Sequence, residues 1–269
     1  TAEMQAALSS PDVEERRDAV LAAAAAHDKP STALLMAALG DSDWRVREEA
    51  IRAVGEVAVE FELVRQLIDG LCQGANVGLR NAARDVLRRL GAAAARSLIS
   101  ALTEVEPNDR KFIVEALACG GTEEAIDTLI ESVQGNDPVI AVAAMDAMAQ
   151  LGGPRVEEAL REKLRVGDTF ERAAALDALE HLAATVLYDD LAPLLDDRLL
   201  RRIALDALGR SGDVRAVGHL LNALTDRSTH VTSRALMGLY RLQGINVDAR
   251  RLLATELPAR SLAVATRKT

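Results

Sequence analysis

Aromatic side chains are almost missing from this chain: of 269 residues, 2% are Phe, Tyr or Trp. One large globular core would use such rings to fill volume, so their shortage argues against it. Cysteine is equally scarce. Cys72 and Cys119 show no CxxC spacing, which leaves no disulfide framework and no metal-binding spacing; they read as small apolar residues of a reducing compartment. No apolar run approaches the ~20 residues of a membrane span, and no signal peptide is visible. Thr1 is not an initiating methionine, so the reading leaves room for residues upstream of it. Positive charge is also short. The net charge is -9 and the sequence pI about 5.1, whereas non-specific duplex binding needs Lys and Arg to neutralise phosphates. The expectation is a cytoplasmic chain without membrane insertion and without a nucleic-acid partner.

What the chain does have is Ala and Leu, which carry most of its 49% hydrophobic content. Both have high helix propensity, and Ala lets backbones approach. They recur in a template. Ala50-Ile51-x-Ala53-Val54 returns as Ala144-Met145-x-Ala147-Met148, Ala175-Leu176-x-Ala178-Leu179 and Ala204-Leu205-x-Ala207-Leu208, at a period of about thirty-one residues that signals stacked supersecondary units. Each unit reads as two helices. In the second unit Asp43 is placed to cap a helix, because its carboxylate can accept the free N–H groups of the first turn. Val46, Ala50, Ile51, Val54 and Val57 then fall at helical spacing, and Leu63, Leu67, Ile68 and Leu71 do the same in a following helix, which Gly70 and Gly74 loosen and end. The Ala50 position is matched by Ala19, Ala83, Ile113, Ala144, Ala175, Ala204 and Ala235. The Leu67 position is matched by Leu35, Leu98, Leu129, Leu160, Leu191, Leu220 and Leu253. Two apolar ladders of equal length predict eight helix pairs.

The template Asp43-x-x-Val46-Arg47-x-x-Ala50-Ile51-x-Ala53-Val54-Gly55, followed by Leu67-Ile68-x-x-Leu71, resembles the HEAT-repeat family, in particular the short bacterial form named for phycobilisome lyases. The resemblance covers residues 3–257 and implies an all-α, right-handed α-solenoid of about eight HEAT-like helix pairs. A single array is expected over residues 1–257, with a polar basic tail over 258–269. Residues 3–8 read either as the second helix of a preceding repeat or as a short capping helix. The Arg47 position holds Arg16, Arg80, Arg110, Arg172 and Arg201, broken by Ala141 and Thr232; in the family this arginine makes polar contacts within the array. Pro193 falls inside the predicted second helix of the sixth unit, where it removes a backbone donor, so a kink or altered stacking is expected there.

Enzymatic motifs are not found. His27, His181, His219 and His230 are far apart and none lies in an HExxH arrangement; His219, on a predicted second helix, is the one to watch. No phosphate-binding glycine loop is present. Gly120-Gly121 and Gly152-Gly153 fall between the two helices of a unit and read as helix-ending turns. The paired acids Asp189-Asp190 and Asp196-Asp197 flank a helix, where capping and solvation account for them. Trp44 sits in the first turn of an outer helix, Arg84, Arg88 and Arg89 form one small basic patch, and Tyr188 and Tyr240 stand isolated.

In HEAT arrays the second helices line the concave face. Positions two before and two after Leu67 and its equivalents should therefore point outward. These are Arg65, Asp69, Arg96 and Ser100, then Asp127, Glu131, Glu158 and Glu162, with Asp189 continuing the acidic trend. Such a stripe can steer a basic protein segment. The expected role is a non-enzymatic scaffold or adaptor that binds another protein, without a catalytic residue, cofactor or metal, and with Asp127, Glu131, Glu158, Glu162 and Asp189 as partner-binding residues. The alternatives implied by the resemblance are a phycobilin lyase-like or chaperone-like subunit and a HEAT-like DNA-binding or glycosylase array.

Overall fold

The computed structural model describes residues 2–26, 28–56, 61–72 and 75–266; His27, Val57 and Gly74 lie outside them. Among the described residues every regular element is a helix. A short α1 (Ala2–Leu8) precedes the pairs α2 (Val13–Ala26) with α3 (Lys29–Ala38), α4 (Trp44–Gly55) with α5 (Phe61–Cys72), α6 (Val77–Leu90) with α7 (Ala92–Ala101), and α8 (Arg110–Leu117) with α9 (Glu123–Gln134). Next come α10 (Pro138–Leu151) and α11 (Pro154–Val166), then α12 (Thr169–His181) followed by the four-residue α13 (Tyr188–Leu191) and a 3-10 helix over Ala192–Asp196. The chain closes with α14 (Arg201–Arg210) and α15 (Ala216–Ala223), and α16 (Thr229–Ile245) and α17 (Val247–Thr266). The helices gather into two compact units, Thr1–Leu151 and Gly152–Thr269. Helix α17 runs through most of the stretch expected to be a basic tail.

Both ladders form the core. Ala19, Ala50, Ala83, Ile113, Ala144, Ala175, Ala204 and Ala235 are buried, and so are Leu35, Leu67, Leu98, Leu129, Leu160, Leu191, Leu220 and Leu253. The small residue lets first helices stack closely, and each buried Leu contributes roughly 1.5–3 kcal/mol of apolar transfer. Helix starts follow the capping chemistry of the sequence. The side chains of Asp28, Asp43, Asn76, Thr122 and Asp168 accept backbone N–H groups of the following first turns, satisfying donors that the helix itself leaves free. Asn76 goes further: its amide donates to the carbonyl of Gly40, 3.1 Å away. Asn246 repeats the device on Gly212 at 2.7 Å, so one side chain both caps a helix and ties it to an earlier turn. Gly70 lies inside α5 and does not end it; a Cβ there would sit 3.4 Å from the Ala83 Cβ, so this glycine serves the contact between α5 and α6.

The arginine ladder is structural. Arg16 grips Asp41 in the turn before α4 through two bonds of 2.8 and 3.0 Å, and Arg201 reaches Asp226 before α16 at 3.2 Å. Arg47 donates to the carbonyls of Asp41 and Ser42, and Arg172 to those of Gly167 and Arg165. Arg80 lies over the Phe112 ring, 4.4 Å from its centre. A guanidinium with five fixed donors suits this bridging between turns.

The sixth pair departs from the rest. Its second helix is replaced by α13 and the 3-10 turn, with Pro193 at an early position of the latter. Proline supplies no N–H there, and the chain tightens in place of a longer helix. First helices pack side by side in α2/α4, α4/α6, α8/α10 and α14/α16, while α14 packs chiefly against α16 and the 3-10 turn.

Candidate protein-binding face

The second helices of the first unit, α5, α7 and α9, pack in succession, and the positions two before and two after their ladder leucines are all exposed: Arg65, Asp69, Arg96, Ser100, Asp127 and Glu131. The middle helix reads AAAARSLISA. Its short side chains make a low floor between longer neighbours. A groove of about 690 Å³ lies over it, lined by Val64 of α5, by Ala92, Ala93, Ala95, Arg96, Ser97, Ile99 and Ser100 of α7, and by Thr122 and Glu124 at the start of α9. A smaller hollow of about 200 Å³ continues it between α5 and α7 past Arg65, Ile68 and Asp69; Ser97 and Ser100 line both. From the groove edge, Glu124, Asp127 and Glu131 follow one another along α9 at helical spacing, all exposed, which puts three carboxylates on one face. Acids near a helix N-terminus also suit the partial positive charge there.

In the second unit, Glu158 and Glu162 lie one turn apart and exposed on α11. Arg165 stands beside these acids. Arg165 binds Asp190 through two bonds of 2.7 and 3.2 Å and comes within 3.8 Å of Glu158. Asp189 is exposed in α13. Its carboxylate is held at 2.8 and 3.2 Å by Arg215, which also binds Asp213 at 2.7 Å and stacks 4.2 Å above the Tyr188 ring. That arginine holds the Asp213 carboxyl below the usual carboxylate range. Asp189, Asp213, Arg215 and Tyr188 thus form one cluster, in which the Asp189 side chain stays 72% exposed and its charge is shared with Arg215.

The cluster also corrects the reading of Tyr188 as isolated. Its hydroxyl meets His219 Nε2 at 2.8 Å. The two residues stand one repeat period apart, and looking for polar pairs at that offset is the signal that would have found them. Asp196 and His219 line a hollow of about 270 Å³ with Arg201 and Asn222. Asp197 accepts Thr169 Oγ1 at 2.6 Å and the Leu199 N–H at 2.8 Å, and these bonds hold its carboxyl below the ordinary range. Among the described residues no group of three or more His, Cys, Asp or Glu is placed to hold a metal ion. Burial pushes the Cys72 thiol up to about 11 and raises that of Cys119, so neither is a ready nucleophile. Trp44 is exposed, away from the groove lining. No helix among the described residues is long and apolar enough to cross a membrane.

Stacked helix pairs of this kind define an α-solenoid, an architecture of the interaction-module class. The chain belongs to the HEAT-repeat family: the model for HEAT repeats matches residues 2–88 and 95–180, and that for the PBS lyase HEAT-like repeat matches residues 200–226. None of the curated proteins matches the sequence. Among solved structures, Kap95p, in a structure addressing its binding to RanGDP, is 14% identical with a TM-score of 0.53, over 92% of this chain and 40% of that one. Human deoxyhypusine hydroxylase is 17% identical with a TM-score of 0.38, over 90% of this chain and 96% of that one. The CpcE–CpcF complex of phycocyanin lyase from Nostoc sp. is 23% identical with a TM-score of 0.33, over 93% and 91%. At 14% identity the likeness to Kap95p shows the fold alone.

Proposed function

We propose that this chain is a non-enzymatic scaffold or adaptor that binds a basic segment of another protein on the second-helix face of its first unit. HEAT-repeat arrays serve as protein-interaction scaffolds, and one observation supports this particular reading: the groove floored by the Ala and Ser side chains of α7 opens onto the Glu124–Asp127–Glu131 row of α9. The floor has room for the apolar side of a helix or extended segment, and the row supplies the field that attracts Lys and Arg. Glu158 and Glu162 offer a second, weaker acidic patch in the other unit, tempered by Arg165.

The test uses a Lys/Arg-rich amphipathic helical peptide and fluorescence anisotropy at low and physiological salt. Four changes, Asp127→Lys, Glu131→Lys, Glu158→Lys and Glu162→Lys, should weaken binding at least about tenfold at low salt with unchanged circular dichroism. Ser97→Trp, which fills the floor shared by both hollows, should weaken it without altering its salt dependence. Binding that survives both variants rejects the reading. Capture experiments from lysate with the same baits then identify the natural partner.

A further inference from the structure

The groove over α7 is not uniform in charge. Arg65, Arg96 and Asp127 stand at one level of the second-helix face, each two residues before its ladder leucine and each exposed. One step along the array, from α7 to α9, therefore changes the sign from positive to negative. Arg96 lines the larger hollow beside Ser97, and Arg65 lines the smaller one. Elsewhere arginines are committed to the fold: Arg16 to Asp41, Arg165 to Asp190, Arg215 to Asp189 and Asp213. Arg96 has no ion pair or hydrogen bond among the described residues, although Glu124 shares its hollow. Asp69 and Glu104 line the smaller hollow with Arg65, and Glu104 accepts from Ser100 Oγ at 3.4 Å, so acids there offset that arginine's field. Arg96 thus enters the groove as an exposed cation that no contact compensates.

A uniformly basic segment laid on this face would set cations against Arg96 as well as against the α9 acids, and like charges facing each other cost binding. We propose that the bound segment is a helix of mixed charge. An acidic residue of it meets Arg96 over α7, and a basic residue two turns away meets the Asp127–Glu131 pair of α9. Arg96 is then a specificity-determining residue, selecting segments that carry that acid. The inference rests on the reading of this face as the site for a basic segment, and adds the charge order within that segment. The helical form follows from spacing. Packed helices such as α7 and α9 lie about 8–10 Å apart. In a helix, residues seven apart share a face and are separated by about 10 Å along the axis. In an extended segment, side chains that share a face are about 7 or about 13 Å apart, and neither matches the step. Ala92, Ala93 and Ala95 in the groove lining leave room for the apolar side of such a helix.

Three amphipathic helical peptides test this by fluorescence anisotropy at low salt with the 269-residue chain. The first carries Glu about seven residues before its Lys/Arg pair, the order that a helix dipole favours. The second has Gln in that place and the third Lys. The chain should bind the Glu peptide about fivefold more tightly than the Gln peptide, and the Lys peptide more weakly than either. Arg96→Glu should reverse that order, and Arg96→Gln should flatten it to within about twofold. Arg96 is exposed, so both variants should keep the circular dichroism of the parent. Because the readout is the order of three peptides on one protein, a general loss of affinity cannot imitate it. Equal binding of the Glu and Gln peptides by the parent overturns the charge order and leaves the basic-segment reading standing. An unchanged order in Arg96→Glu overturns the role given to Arg96. Binding of none of the three peptides overturns both readings.

Discussion

Two seams between first helices solve the same stacking problem by opposite means. Between α8 and α10 the contact is apolar: Ile113, Val114 and Leu117 face a helix whose Ala141, Ala144, Met145 and Met148 are fully buried. Between α14 and α16 the helices close until backbones meet, and a Cβ on Gly209 would lie 2.3 Å from the Gly238 Cα. The polar side of that second seam holds Asp206, nearly buried between Arg210 and Arg241, each at 2.7 Å, with Arg234 at 3.6 Å. Arg210 also pairs with Glu180 of α12, where burial raises the carboxyl's pKa. The first seam adapts to its side chains, because methionine is flexible and fills irregular space. The second is fixed by geometry, since backbone atoms have nowhere to move. The same period in sequence therefore tolerates change at one place and refuses it at another.

The largest effect should come from Gly209→Val, which forces branched carbons into the Gly238 backbone. A loss of about 4 kcal/mol is expected, read as a lowered urea midpoint, while Met145→Leu at the apolar seam should cost less than about 1.5 kcal/mol. Equal losses at the two sites would erase the contrast. Next, Asp206→Ala should cost about 2 kcal/mol: it strips the arginines of their shared acceptor, though their partial exposure lets water replace some of it. A double-mutant cycle with Arg241→Ala should recover a coupling of about 1 kcal/mol, and none if the network is ornamental. The smallest effect concerns the 3-10 turn. Asp197 has its folded pKa held below the unfolded value by Thr169 and the Leu199 N–H. Its stabilisation is therefore complete above the ordinary carboxylate range and disappears as pH falls through the folded value. Between about pH 5 and pH 3, a range that brackets ordinary carboxylate titration, the melting temperature of Asp197→Asn should fall less than that of the parent; an equal fall would show that these bonds do not matter to the fold.

The two ladders were legible in the sequence because burial repeats wherever the period repeats; Leu191 stays in the core even though its helix is broken by Pro193. Caps such as Asp43 were legible because they act over two or three residues. The Gly209–Gly238 contact was not, since a glycine in a helix reads as weak propensity until its neighbour helix is known. Nor was the capture of Asp189, which depends on Arg215 arriving from another pair at a distance that spacing alone does not give. The acidic row of α9 was legible as charge, but the groove beside it was not, because it arises from what α7 lacks.

The 3-10 turn has one more consequence. In a linear array each pair is held by its neighbours, so stability propagates as a chain of couplings of unequal strength. A four-residue helix followed by a 3-10 turn offers few main-chain bonds and little stacked area to pass that coupling on. Cooperative unfolding then has a natural place to stop, and the α14–α16 block and the residues before the turn can exchange their amide hydrogens as separate domains of protection. Hydrogen exchange across Pro193 should therefore read different opening free energies for the segments of the second unit before and after it.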